Sequence, residues 1–439
     1  MLKIAKKTRC IEFCNSKNYI VLFSMGGILV KELLYSGVLM LGAITFGYVL
    51  AYPSPAIPSM EEEMDLSEFE KTYFNSISSL FAIVGPFITS FLLKFTGRKS
   101  VTFIVAVSGC AFWCLVFLTR EECFWFGMIG RALLGLVMGG FSHIVPMYIV
   151  ELAPEGKTGF FGSLNQLAIA FGIVVVYFVG TFLEWFETAV VGCFVCLLMA
   201  ILLWFIPESP AVAESKSQIV QKESVFQKKY LKPLVVSIFL MFFQQFSGIN
   251  AILTNLTQLF KDAGITIEPG IASTISASAQ VISVLCGGFL VEFMGRKIAW
   301  GVSLGGMSLA LILHTLSFKI KMPNWLPIII VFLFLLFFGL GAGPLPWFYV
   351  SEQFGSSVRA QASSVVSSSN WIFVFIVISV YPSLKDAIHE FGCFLIFAII
   401  SIVGTIFGLV NIKKDAGDIN LNGIDEKIFG DTSLDSKYN

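Results

Sequence analysis

Apolar runs of about twenty residues recur along the chain, at 33–52, 72–93, 101–119, 124–150, 159–183, 188–206, 233–260, 271–291, 298–318, 325–350, 361–381 and 391–412. A hydrocarbon core about 30 Å thick takes roughly 20 helical residues to cross. Each run therefore predicts a membrane-spanning helix, twelve in all, and the fold class is an all-α integral membrane protein. The longest polar break, Pro207 to Lys232, divides the spans six and six. The expected organisation is an N-terminal segment (1–32), a six-helix bundle (33–206), a linker (207–232), a second six-helix bundle (233–412) and a polar tail (413–439). Tyr19 to Val30 is too short to span, and no cleavable signal peptide is expected.

An even number of spans puts both ends of the chain on one side. The tails and even-to-odd loops hold 22 of the 29 Lys and Arg residues. The odd-to-even loops hold six: Lys71, Arg120, Lys261, Lys319, Lys321 and Lys385. Basic residues stay in the cytoplasm, so both termini are expected there, in a multi-pass plasma-membrane protein. Arg131 alone lies inside a span.

Composition agrees. The chain is 56% hydrophobic and 13% charged, with mean hydropathy +0.83, against about 25% charged in soluble domains. Zero net charge gives no sign of a nucleic-acid partner; the lipid bilayer is the partner the pattern demands. Cys193-x-x-Cys196 has the spacing of a redox or metal pair but no accompanying His or Cys, so it reads as two small apolar helix residues. The acidic stretch "EEEMDLSEFE" at 61–70 reads as a solvated loop. No metal cluster, phosphate loop or nucleophile–base set points to an enzyme or a cofactor.

The halves echo one another. "GRKS" at Gly97 is matched by "GRKI" at Gly295, and "YIVEL" at Tyr148 by "YVSEQ" at Tyr349. The Gly-to-Tyr separations are 51 and 54 residues. Duplication of a six-span unit predicts two pseudo-symmetric bundles with a site between them.

The polar residues inside the spans carry the chemistry. "LMFFQQFSGINAIL" sets Gln244, Gln245, Ser247 and Asn250 in an apolar helix. Burying an unpaired amide costs roughly 2–7 kcal/mol, so the group must pair across helices or line a wet cavity. On an unbroken helix Asn250 sits some 140° round from Gln245. The two can face one ligand only if the helix distorts, and Gly248 is the cheapest place. Gly341-Ala-Gly-Pro-Leu-Pro is a second break signal, in span ten. Gln166 and Gln280 are further mid-span amides. An amide offers donors and an acceptor together, which suits a hydroxyl that is both. No Asp or Glu lies well inside any apolar window; His314 reads as a helix-end residue near the interface, and His143, beside Pro146, is a candidate for a pH effect or a simply hydrogen-bonded residue.

The motifs "GRK" (97–99 and 295–297), "RALLGLVMGG" (131–140), "PMYIVELAP" (146–154), "SLNQL" (163–167), "PESP" (207–210), "QQFSGIN" (244–250), "GPLPW" (343–347) and "SSNW" (368–371) occur in this order. Together they resemble the sugar porters of the major facilitator superfamily, most of all the insect facilitated trehalose transporters. The resemblance implies sugar-binding roles for Gln166, Gln244, Gln245, Asn250, Gln280, Trp347, Asn370 and Trp371. It implies gating ion pairs among Arg98, Glu151, Glu208, Glu292, Arg296, Glu352 and Arg359. Proton-coupled members carry a carboxylate in span one; Val49 stands there, which implies a uniporter for trehalose or a hexose. A non-transporting sugar sensor is the alternative. Several positions depart from the pattern: Gly339 replaces a glutamate, Thr254-Asn255 a pair of tyrosines, Lys94 an acid and Thr158 an arginine. The first two imply a larger pocket with a different lid; the last two imply a weaker first-half latch.

Overall fold

The computed structural model describes residues 30–154, 157–210, 224–317 and 323–412. Eleven of its helices are long and apolar enough to cross a membrane. The last, Val358–Asn411, has 54 residues and would run about 80 Å if straight. It is broken at His389, whose φ of 59° lies outside helical space, so it supplies spans eleven and twelve. The spans are thus Val30–Ala51, Glu68–Leu92, Arg98–Phe117, Glu121–Leu152, Phe160–Phe182 and Trp185–Phe205, then Lys228–Thr254, Pro269–Gly287, Arg296–Leu316, Leu326–Trp347 and the two parts of the last helix.

Local chemistry sets the ends. Span two starts at a capping box: Glu70 N–H donates to Ser67 Oγ, and Glu70 Oε2 accepts from Ser67 N–H, pairing two otherwise orphaned amides. Glu184 and Glu187 repeat the device at span six. Span two is interrupted at Ile83–Val84, just before Gly85-Pro86. Phe87 N–H goes to Val84 O, leaving Ile83 O without its helical donor. Ser368 of span eleven supplies one at 2.9 Å.

The first six spans pack through close main-chain crossings. A Cβ on Gly135 would lie 2.2 Å from Ser78 O, and one on Gly139 2.2 Å from Ala82 O. These glycines let spans two and four approach as no larger residue would. Arg131 is buried where spans one, two and four meet. Its Nη1 donates to Val49 O at 2.7 Å and its Nε to Phe74 O at 3.2 Å. Its guanidinium lies 5.8 Å from the centre of the Tyr52 ring and 5.5 Å from that of Phe74. Carbonyls and π-faces take the place of a carboxylate partner.

The two sets of six spans meet along spans five and eight and along spans two and eleven. Between these seams lies the central cavity.

Candidate substrate site and its gates

Span seven is broken where the amides need it. Gly248 takes φ +85°, a left-handed value that side-chain-bearing residues resist. The helix stops at Phe246 and restarts at Ile249. The turn brings Asn250 onto Gln245: Asn250 Nδ2 donates to Gln245 Oε1 at 2.5 Å. Gln245 Nε2 donates to Asn370 Oδ1 at 2.7 Å and to Gln244 Oε1 at 3.1 Å. Gln244 Nε2 donates to Ala342 O at 2.6 Å and Gly343 O at 3.0 Å. One amide chain links both parts of span seven to spans ten and eleven.

A cavity of about 40 Å³ lies beside this chain. Gln166, Gln244, Gln245, Asn250, Gln280, Trp347, Asn370 and Trp371 all line it, with Phe46 and Leu50 of span one closing the opposite wall. Gln280 Oε1 is buried with no hydrogen-bond partner, an acceptor left over for an occupant. Trp371 packs on Phe46 at 5.1 Å between ring centres. Taking ~10–15 Å³ per water, the space holds about three waters, well short of the ~300 Å³ of small ligand pockets. The protein is closed around this site.

Hydrogen bonds between the halves shut the cavity on both sides. Toward the Arg98 end, Trp371 Nε1 donates to Ser142 Oγ at 3.0 Å and Ser368 reaches Ile83 O. Toward the Glu61 end, the Tyr177 hydroxyl donates to Leu253 O. Ser54 Oγ donates to Thr257 Oγ1 at 3.1 Å. Asn75 Nδ2 lies 3.4 Å from both Thr254 Oγ1 and Asn255 Oδ1. The Thr254-Asn255 pair thus meets Asn75 of span two across the halves. Above it opens a vestibule of about 320 Å³, whose wall includes Glu61, Lys71, Asn75, Asn255, Lys385 and Glu390. The pocket enlargement expected at Gly339 is not present in this state. A Cβ there would lie 1.9 Å from Ser283 Oγ, so spans eight and ten have closed over the position.

Among the described residues two of the predicted ion pairs form, Arg98–Glu151 and Arg296–Glu352, each inside one half. Arg98 grips Glu151 with two bonds of 3.1 Å, and Ser209 Oγ donates to Glu151 Oε2 at 2.5 Å. Glu208 Oε1 accepts from Lys99 N–H at 3.2 Å and Ser209 N–H at 3.0 Å, a carboxylate at a helix start, where the helix dipole favours it. Arg296 pairs with Glu352 at 2.8 Å, while Arg359 Nε donates to Phe354 O at 3.1 Å. Burial lifts the Glu352 carboxyl above its usual range, with Arg296 pulling the other way. Lys94 lies over the Phe91 ring. The side chains of Glu292 and Thr158, and linker residues 211–223, fall outside the described residues. Sequence reasoning overlooked Ser142, Tyr177 and Asn75. Asn75 is itself a span amide and could have been flagged by the cost of burying it; the other two are indistinguishable from ordinary packing residues until their partners are known.

Two pseudo-equivalent sets of spans enclosing a polar cavity, closed on both sides, define a membrane protein of the major facilitator fold. The sequence profile described as "Sugar (and other) transporter" matches residues 36–229 and 211–418, and the chain belongs to that family. Among curated relatives, "Sugar transporter ERD6-like 6" of Arabidopsis thaliana is 29% identical over 86% of this chain and 86% of its own length. A "Facilitated trehalose transporter Tret1-2 homolog" of Drosophila sechellia is 29% identical over 90% of this chain and 91% of its own. Among solved structures, a partially occluded inward-open form of the xylose transporter XylE from E. coli superposes with a TM-score of 0.73. It is 22% identical and the match covers 87% of this chain and 98% of that one; at this distance the likeness speaks for the fold.

Proposed function

We propose that this protein carries trehalose or a hexose across the plasma membrane by facilitated diffusion, exposing the central cavity to each side in turn. The observation that carries the reading is the convergence of six amides and two indoles from five spans on one closed cavity between the halves. Amides satisfy the hydroxyl rim of a sugar while an indole covers its apolar face. Gln166, Gln244, Gln245, Asn250, Gln280, Trp347, Asn370 and Trp371 are the side chains assigned to the sugar. Relatives named as facilitated trehalose transporters and the polar lid at Thr254-Asn255 favour trehalose among the candidates.

Uniport is supported by the buried charges. Among the described residues, the buried Lys, Arg, His, Asp and Glu side chains are Arg131, His143 and His314. A proton-coupled carrier needs a group that titrates while exposed alternately to the two sides. Arg131 is fixed on carbonyls, and His143 Nδ1 is paired with Thr89 Oγ1 at 3.0 Å. The distribution of Lys and Arg favours cytoplasmic termini, which puts the vestibule outside and the two ion pairs inside.

Uptake of labelled trehalose and glucose into proteoliposomes, with and without a protonophore, tests this. Saturable uptake that ignores the protonophore is expected. Uptake abolished by the protonophore would overturn uniport. Binding without uptake would make the protein a sugar sensor.

A further inference from the structure

The vestibule over the closed cavity is larger than the cavity itself. Its volume of about 320 Å³ is eight times the 40 Å³ of the centre and falls within the ~300–1,000 Å³ of small-ligand pockets. On the path between the halves, the vestibule and not the centre has room for a sugar in this state. Both halves build its wall. Span two gives Thr72 and Asn75, and the chain beyond the break in span seven gives Asn255 and Gln258. Three amides and a hydroxyl again suit a ligand whose groups donate and accept together. Pro53 and Pro58 on one side and Tyr381 and Pro382 on the other supply apolar surface for the faces of a sugar ring.

Asn75 carries the sharper signal. It is 6% exposed, and its Nδ2 leans on Thr254 and Asn255. Its Oδ1 is buried with no hydrogen-bond partner, although buried polar atoms are nearly always paired. An acceptor left over on the wall of a polar hollow is a place for a hydroxyl donor. Charge narrows the class of ligand. Glu61, Glu68, Asp386 and Glu390 border the vestibule against Lys71 and Lys385. Both lysines are already neutralised, Lys71 by Glu61 and Glu68, and Lys385 by Asp262 and Glu390. The field in the hollow is therefore negative, and carboxylate oxygens remain to accept from hydroxyls or an ammonium group. We propose that the vestibule is a second carbohydrate site, which takes uncharged or amino sugars, turns away anionic ones, and is occupied while the central cavity is shut. It holds a sugar at the closed entrance until spans two and seven part. The inference rests on the sugar-transport reading above.

The test is equilibrium dialysis of labelled trehalose, and separately of labelled glucose, against the full chain in detergent, where the central cavity can be reached from either side. Gln245→Ala disables the central site, and Thr72→Trp fills the vestibule. Wild type is expected to bind two sugars per chain, each single variant one, and the protein carrying both changes none. Asn75→Leu, added to Gln245→Ala, should weaken the remaining site at least fivefold, and it serves as the second variant if Thr72→Trp does not fold. In Gln245→Ala, glucosamine should displace the label and glucuronate at the same concentration should not. A wild type that binds one sugar, lost in Gln245→Ala and kept in Thr72→Trp, would overturn the proposal and leave the transport reading standing. One sugar kept in Gln245→Ala and lost in Thr72→Trp would sustain the vestibule site and defeat the central one. Displacement by glucuronate as strong as by glucosamine would overturn the proposed ligand class.

Discussion

The first six spans and the last six share a plan but hold themselves together differently. In the first set, backbones press directly on one another at Gly135 and Gly139, and a buried arginine clamps the carbonyls of two neighbouring spans. In the second set lie all four left-handed backbone residues of the described chain: Gly248, Gly264, Gly295 and His389. Of these only Gly248 lies within a span, where it breaks span seven; span ten is interrupted at 341–344 without a left-handed residue, and side chains such as Gln244 and Ser303 replace its lost helical hydrogen bonds. A close-packed surface transmits displacement as a unit, whereas a helix broken at glycine and proline can bend at a defined point. The first half has a break too, in span two, where Ser368 covers Ile83 O; the breaks that border the cavity lie in spans seven and ten, opposite the close-packed wall of the first half.

The largest expected effect comes from breaking the rigid wall. Gly139→Leu would push spans two and four apart against Ala82 O; loss of folded, monodisperse protein on size-exclusion chromatography is the expected outcome. Arg131→Met should follow. It orphans the carbonyls of Val49 and Phe74, at about 1–3 kcal/mol each, and should lower the melting temperature in detergent markedly. An unchanged melting temperature would remove the clamp from the account.

Gln245→Ala acts on the site and not on the wall. It removes the centre of the amide chain and should cut sugar uptake about tenfold or more, on the order of 1.4 kcal/mol or above, with little change in melting. Cys193→Ala, in the packing between spans three and six, should leave uptake within about twofold, close to wild type. Equal effects from the two would take the site off span seven.

The smallest effect belongs to the inner face. Because burial raises the Glu352 carboxyl, the folded protein favours its protonated form more than the unfolded chain does. That stabilisation is fully present below the ordinary glutamate range and is lost as pH rises through the raised value. Wild type should therefore gain a little thermal stability between pH 7 and pH 5 relative to Glu352→Gln. A loss over the same window would reverse the assigned sign.

Much of this was legible in the sequence, for physical reasons that are local. Span positions follow from run length and the thickness of a bilayer. The break at Gly248 follows from two amides that cannot share a face of an intact helix. The convergence of Gln166, Gln280, Asn370 and Trp371 on one cavity was anticipated from the cost of burying amides and from the resemblance to sugar porters. What the sequence withheld depends on three-dimensional partners. The closing of Ser283 over Gly339, the Trp371–Ser142 contact and the confinement of Arg98–Glu151 and Arg296–Glu352 to separate halves are set by packing between distant segments. The hold of Gln244 on Ala342 and Gly343 depends on which carbonyls Pro346 and Pro344 leave free, and that emerges only with the backbone path.

The most direct measurement is a cryo-electron microscopy map of the protein incubated with trehalose or glucose. The account predicts density for a sugar between the halves, in contact with Gln245, Asn250 and Gln280, with the Asn250–Gln245 bond exchanged for bonds to hydroxyls. A map with the sugar bound elsewhere, and those amides still bonded to one another, would contradict it.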